Sequence, residues 1–194
     1  YPAMKNKGIV YTNQHDGPRN IVSKSTPDPA SAKTQRGVTT LPTYRKLSKL
    51  IPDSSKHLDA GAGQGNGADA LKAKGRTIEP FPYGPSGANK SNWKGKSEPT
   101  YTSLDDVPSG EYDSVSSLSV LNVLNPAQRT DLIKGIGRSL KVNGQAHITA
   151  RDPATVSSAK NKRPADNDQN AFFVKQSDGT ETYQKGFTPD DLVS

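Results

Sequence analysis

The chain has no cysteine, so a disulfide framework, a thiolate nucleophile and a cysteine zinc site are all excluded. Its three histidines are too few for a zinc centre built from imidazoles. Aromatic residues make up only 6% and hydrophobic residues of every kind 30%, with a mean hydropathy of −0.80. A 194-residue chain of this kind builds one modest core and leaves long solvated segments. No run approaches the roughly 20 apolar residues of a membrane span, and the start Tyr1-Pro2-Ala3-Met4-Lys5 lacks the apolar stretch of a secretory leader. No membrane partner is expected, and a cytoplasmic location is the simple expectation.

Charge is present but unevenly placed. Residues 1–58 hold ten Lys and Arg against three Asp, which accounts for the whole net charge of +7. The rest of the chain is neutral. Such asymmetry suggests contact with a polyanion, nucleic acid above all, although a solubilising tail explains it equally well.

Residues 1–38 cluster Pro, Gly, Asn, Ser and Thr without an apolar period and read as an irregular basic arm preceding a folded domain over 39–194. Leu41, Tyr44, Leu47 and Leu50-Ile51 recur at helical spacing with Pro52 behind them, which predicts a helix over 41–51. Lys56–Ala60 reads as a strand, followed by a glycine-rich turn that opens a helix to about Lys74, and Arg76–Glu79 as a second strand. Residues 82–99 read as a long loop whose Lys90, Trp93, Lys94 and Lys96 offer phosphate contacts and one stacking surface. Tyr101–Leu104 and Tyr112–Leu121 are expected as third and fourth strands, Pro126 opens a helix to about Leu140, and Gln145–Ala150 forms a fifth strand. Strands alternating with helices predict a parallel sheet in an α/β fold over a core of 40–150. Residues 151–170 read as a polar linker and 171–194 as a hairpin, with Asp178-Gly179 in its turn, plus the start of a helix capped by Thr188. That unfinished helix, in a chain that does not begin with Met, suggests part of a larger polypeptide or assembly.

The chemistry concentrates in His57-Leu58-Asp59-Ala60-Gly61-Ala62-Gly63-Gln64-Gly65, where an acid closes a strand and glycines at alternate positions lead into a helix. Glycine allows the tight turn and close backbone approach that a bound nucleoside needs. The dinucleotide fingerprint G-x-G-x-x-G is not met, because the glycines fall at 61, 63, 65 and 67. Glu79 lies 20 residues after Asp59 near the end of the second strand, where a carboxylate can accept both hydroxyls of a ribose.

These motifs resemble those of the class I S-adenosylmethionine-dependent methyltransferases. Leu58–Gly65 is similar to their first motif, Glu79 to the ribose-binding acid, Tyr112–Leu124 to the fourth-strand motif, and Lys141–Ile148 to the approach to strand five. The resemblance covers about residues 40–150 and implies a Rossmann-like sandwich with a mostly parallel sheet, lacking its last strands, and S-adenosyl-L-methionine as cofactor. It further implies that Gly61, Gly63 and Gly65 lie under the methionine part of the cofactor, with Asp59 organising the turn or meeting the amino group. Glu79 would bind the ribose, Phe81 cover one face of adenine, and Ser103 or Leu104 border its edge. Leu118, Ser119 and Asn122 would face the methyl group, Asn122 supplying the hydrogen bond to the nucleophile. No metal is implied.

The acceptor is not specified. The Asp/Asn/Ser-Pro-Pro-aromatic motif of amino-methyltransferases acting on DNA bases is absent, its nearest match being Asn125-Pro126-Ala127-Gln128. Three readings stand: transfer to nucleic acid through the basic segment 1–58 and the loop 82–99, transfer to a small molecule or protein side chain, and a degenerate fold serving as an interaction module. His57 and His147 fall within strands and read as structural; His15, on the arm, is the one candidate base.

Overall fold

A computed structural model of the chain describes residues 41–63, 65–72, 75–81, 98–101, 104–165, 168–175, 179 and 181–192. The basic arm, the loop at 82–97 and Ser103 lie outside them. Helix α1 (Leu41–Leu47) buries Tyr44 and Leu47, then tightens into a turn in which Leu50 N and Ile51 N both reach Leu47 O, at 2.8 and 3.1 Å. The helix is therefore shorter than its apolar spacing suggests. Ile51 still reaches the core, while Leu50 is left 61% exposed.

Strands β1 (Lys56–Ala60), β2 (Thr77–Phe81), β3 (Tyr112–Leu118) and β4 (Leu140–Thr149) form one parallel sheet in the order β2-β1-β3-β4. Helix α2 (Asn66–Leu71) joins β1 to β2, ending short of Lys74, and α3 (Pro126–Ser139) joins β3 to β4. The chain thus leaves β1 for β2 on one side and returns to the other side for β3. The direction of winding reverses between β1 and β3. Asn125 and Gln128 set the start of α3 by a reciprocal capping box, Asn125 Oδ1 accepting from Gln128 N at 2.9 Å and Gln128 Oε1 from Asn125 N at 3.0 Å. Pro126 occupies its first turn, as expected.

Strand register decides which side chains share a face. Leu58 is level with Val115, and Ala60 with Phe81, so these face α3 and enter a core with Leu121, Leu132, Ile133 and Ile136, while Glu79, level with Leu58, shares their face but lies outside that core. His57, Asp59, Ile78, Ser114 and Ser116 face the other way, toward the smaller core of Tyr44, Leu47, Ile51, Ala68, Leu71, Ile78 and Leu118. Of the expected third strand at Tyr101–Leu104, residues 102–103 lie outside the described residues and Tyr101 belongs to no strand. Leu104–Asp106 is instead a 3-10 turn whose Leu104 side chain lies flat against α3, at a place where a Cβ on Gly135 would overlap it. The fourth strand ends at Leu118 rather than Leu121, and Leu121–Val123 is a second 3-10 turn.

The segment 151–170 is not an inert linker. Asp152 caps α4 (Pro153–Ser157) through Thr155 N at 2.8 Å, and Lys162–Pro164 is strand β5. With β6 (Ala171–Lys175) and β7 (Glu181–Lys185) it forms an antiparallel sheet in the order β5-β6-β7. The expected terminal helix is only the 3-10 turn Asp190–Leu192, capped reciprocally by Thr188 and Asp191.

A buried polar cluster fastens this sheet to the parallel core. Arg129 of α3, 2% exposed, donates to Asp168 Oδ2 at 2.6 Å, to Tyr183 Oη at 2.5 Å and to Leu124 O at 2.9 Å. Lys185 donates to Asp168 Oδ1 at 2.5 Å. Burial alone would raise the Asp168 carboxyl, but the Arg129 charge and the hydrogen bonds from Lys185, Tyr183 and Arg129 hold it below the ordinary range. Replacing Arg129 by Met strips the carboxylate of its guanidinium and is expected to lower the unfolding free energy by about 3 kcal/mol in urea titrations. A loss below about 1 kcal/mol would show that the cluster contributes no more than a surface pair.

Candidate functional site

The winding direction reverses between β1 and β3, and the carboxyl ends of strands at such a point are where ligands of open α/β sheets bind. The glycine turn lies on one side of this point. Gly61, Gly63 and Gly65 have φ of +98°, +57° and +86°, a backbone path that L side chains rarely adopt. Gly61 N and Ala62 N both donate to Phe81 O, at 2.7 and 3.1 Å, which ties the turn to the end of β2. Gly65 N closes it on Ala62 O at 2.9 Å. The exit of β3 lies on the other and packs directly on the turn, since a Cβ on Gly61 would overlap the Val120 side chain. Ser119 there holds a φ of +59°, its N–H donating to Thr149 O at 2.9 Å. Strained backbone of this kind collects at functional sites.

Asp59 supports the turn from behind. It is fully buried, accepting from Tyr44 Oη on Oδ2 and from Ser116 Oγ on Oδ1, both at 2.7 Å. Since Ser116 gives its one proton to Asp59, the His57 Nε2 lying 3.0 Å from Ser116 Oγ must donate to it. His57 Nδ1 then accepts from Ser114 Oγ at 2.7 Å. Burial pushes the Asp59 carboxyl up to about 6 against the pull of the Ser116 and Tyr44 hydrogen bonds, and pushes His57 down to about 3, with His147 and Arg76 adding to it. His57 is a neutral structural residue, as its place in a strand implies.

Glu79 occupies a different setting. The register that aligns it with Leu58, and Asp59 with Pro80, puts the two carboxylates on opposite faces of the sheet. Its Oε2 accepts from Tyr112 and, at 3.1 Å, from Tyr101, while Lys56 Nζ lies 3.6 Å from Oε1. Thr100 N donates to Pro80 O at 3.2 Å, laying the 98–101 segment along β2 and bringing Tyr101 to the carboxylate. The expectation that the two acids grip one ligand together is thus not met by this arrangement: Asp59 braces the turn and Glu79 joins a phenol cluster.

The other predicted residues divide similarly. Phe81 is buried at the end of β2, its carbonyl holding the glycine turn. Leu118 packs with Tyr44 and Leu71 in the smaller core, and Leu104 packs against α3, so both serve packing. Asn122 is fully buried, donating to Lys185 O at 2.6 Å and accepting from Arg151 N at 3.0 Å. Its amide pins β7 to the end of β4 and faces no open space. Ser103 lies outside the described residues, as does His15. Sequence reasoning missed Tyr44 and Ser116. Their signals were a tyrosine on the apolar face of α1 and the serines of β3, since a strand buried on both faces is ordinarily filled by Val and Ile.

No family model matches the chain, and a search of curated proteins finds no match. Among solved structures, the PH0226 protein from Pyrococcus horikoshii OT3 aligns over 87% of this chain and 83% of its own, with 16% identity and a TM-score of 0.61. The 1,6-didemethyltoxoflavin-N1-methyltransferase of Burkholderia thailandensis, crystallised with 1,6-didemethyltoxoflavin and S-adenosylhomocysteine, aligns over 77% of this chain and 62% of its own at 14% identity and a TM-score of 0.49. With its parallel sheet in the order β2-β1-β3-β4 between helices, the chain has a Rossmann-like α/β fold, and it shares that fold with the PH0226 protein. Among the described residues no helix is long and apolar enough to cross a membrane, and no cluster of acids and histidines could hold a metal ion.

Asp59 and His57 make opposite demands on pH. The folded Asp59 keeps its proton up to about 6 where an unfolded one loses it near 3.8, so stability falls as the pH rises through that window. The folded His57 stays neutral down to about 3 where an unfolded one protonates near 6.5, so stability is lost as the pH falls from 6.5. Between roughly 4 and 6 the pair holds the same number of protons folded and unfolded, and the two slopes cancel. Asp59→Asn removes one of them. The stability of that variant relative to the parent is expected to improve by about 3 kcal/mol between pH 4 and pH 7 in urea titrations. A constant difference would mean that Asp59 titrates as an ordinary carboxyl.

Proposed function

We propose that the chain is an S-adenosylmethionine-dependent methyltransferase domain whose acceptor is a small molecule. The observation that carries this reading is the coincidence of the glycine turn with the reversal point of the sheet, Gly61 meeting Val120 where β1 and β3 end. A turn of three residues with positive φ, closed on Phe81 O, suits the close approach of an amino-acid-bearing nucleoside, and its residues match the family's first motif. The cofactor, when bound, supplies a methyl group on a cationic sulfur that leaves as a neutral thioether. The protein's contribution is then mainly to hold the acceptor in line and to exclude water.

The fit of the side chains is uneven. The turn would hold the methionine portion through its backbone, and Phe81, its ring buried in the larger core, would contribute through the carbonyl that ties the turn to β2. Glu79 would reach a ribose only by exchanging the hydroxyls of Tyr101 and Tyr112 for those of the sugar. Asn122 is replaced here as the candidate group facing the acceptor by Ser119, half-buried at the exit of β3 with a left-handed backbone. Its hydroxyl is suited to accept a hydrogen bond from an acceptor nucleophile and orient it. The reading of a small acceptor is supported by β7, which Asn122 ties over the 3-10 turn that follows β3. Transfer to nucleic acid is the second reading, favoured by the ten basic residues of 1–58.

Titration calorimetry with S-adenosylhomocysteine tests the main reading. One equivalent is expected to bind, and Gly61→Ala, whose Cβ would overlap Val120, is expected to weaken it at least about tenfold while circular dichroism stays unchanged. No heat from folded protein would favour an interaction module instead. For the second reading, duplex DNA would bind with an affinity falling steeply with salt as phosphate counterions are released. Salt-independent or absent binding leaves the small acceptor.

A further inference from the structure

Helix α1 precedes the parallel sheet in sequence and, by its length, could serve only to cover one face of it. One residue gives it a second role. We infer that Tyr44 is a positioning residue for the cofactor turn, holding the Asp59 carboxylate and the first turn of α2 in the arrangement that binds the nucleoside. The inference rests on the methyltransferase reading above.

Three observations carry it. First, Tyr44 is 3% exposed and its hydroxyl donates to Asp59 Oδ2 at 2.7 Å, so the residue two positions before the turn is bonded across to α1. Second, the same ring lies so close over α2 that a Cβ on Gly67 would overlap it, and Gly67 is two residues after the last glycine of the turn. The hydroxyl and ring of Tyr44 therefore reach Asp59 and Gly67, the residues two positions outside either end of the 61–65 segment. Third, α1 is itself held in place. Arg76, with its side chain buried, donates to Ser48 O at 2.6 Å, Ile51 O at 2.8 Å and Pro52 O at 3.2 Å, binding the carbonyls that follow α1. Tyr44 thus sits midway along a short helix whose following carbonyls are held by Arg76.

An ionised Asp59 accepts from both Tyr44 and Ser116. A protonated one must donate on one oxygen, and one of its two partners must then turn its own proton away. Asp59 is bonded by Tyr44 from α1 and Ser116 from β3, and Ser116 is in turn bonded by His57 of β1, on which Ser114 of β3, His147 of β4 and Arg76 act. Of these only Tyr44 links the carboxylate to the segment beyond the turn. Losing its hydroxyl takes one stabilising bond from the ionised form, which moves protonation of Asp59 to higher pH and loosens the turn under conditions where the parent still binds.

The test is S-adenosylhomocysteine affinity by calorimetry from pH 5 to pH 8.5 for the parent, Tyr44→Phe and Leu47→Ala. Binding by the parent is expected to weaken below about pH 6 as Asp59 takes up its proton. In Tyr44→Phe, which keeps the ring, that midpoint is expected to rise by about one pH unit and the affinity at pH 7 to fall about tenfold. Leu47→Ala removes packing from the same small core without touching Asp59 and is expected to lower the melting temperature with the midpoint unmoved. The inference is overturned if Tyr44→Phe binds with the parent's affinity and midpoint, if Leu47→Ala moves the midpoint equally, or if Tyr44→Phe fails to fold, which would make Tyr44 a residue of global stability. Absence of binding by the folded parent at every pH would instead contradict the methyltransferase reading on which this rests.

Discussion

A carboxylate with no access to water must find hydrogen-bond donors or give up its charge, and Asp59 at the end of β1 is the point where this constraint shapes the molecule. Its two donors come from different layers, Ser116 from the neighbouring strand and Tyr44 from the helix above. Meeting the needs of one buried acid therefore aligns β1 with β3, docks α1, and sets the tautomer of His57. The glycine turn begins two residues later, so its position is inherited from the same bonds. Such a network is costly when half-satisfied and specific when complete, which is the role it plays beneath a turn that has no side chains of its own to hold it.

The second constraint is topological. Winding β2 and β3 to opposite sides of β1 sets a reversal point at the carboxyl ends of β1 and β3, and the glycine turn and the strained Ser119 stand on either side of it. The antiparallel sheet then covers the exit of β3. That sheet is held by polar contacts, the Arg129–Asp168–Lys185 cluster and the Asn122 amide, together with Phe187, whose ring enters the larger core beneath Arg129.

Much of this was legible from the residues. The parallel sheet followed from apolar strands alternating with helices, and the β1 boundaries at Lys56 and Ala60 were visible because a glycine run follows immediately. The capped start of α3 was legible at Pro126 for the same local reason. What escaped was non-local. The 151–170 segment carries its structure in a single capping Asp152, in isolated buried residues such as Val156 and Ala165, and in Asp168, whose partners lie 39 and 17 positions away. No periodicity announces such contacts. Within the site, the glycine turn was readable because φ restrictions are local. The engagement of Glu79 by two tyrosines and of Asn122 by two backbone groups was not, because each depends on where distant segments fold back. Register alone, which strand alignment sets and spacing does not, separates Asp59 and Glu79 onto opposite faces.

The most direct measurement is a crystal structure of the protein grown with S-adenosylhomocysteine. The ligand is expected over Gly61–Gly65 between the ends of β1 and β3, with Asp59 still accepting from Tyr44 and Ser116 behind the turn. A ligand bound elsewhere, or an Asp59 swung out of its bonds to meet the ligand directly, would contradict the view that this buried carboxylate works by holding the turn.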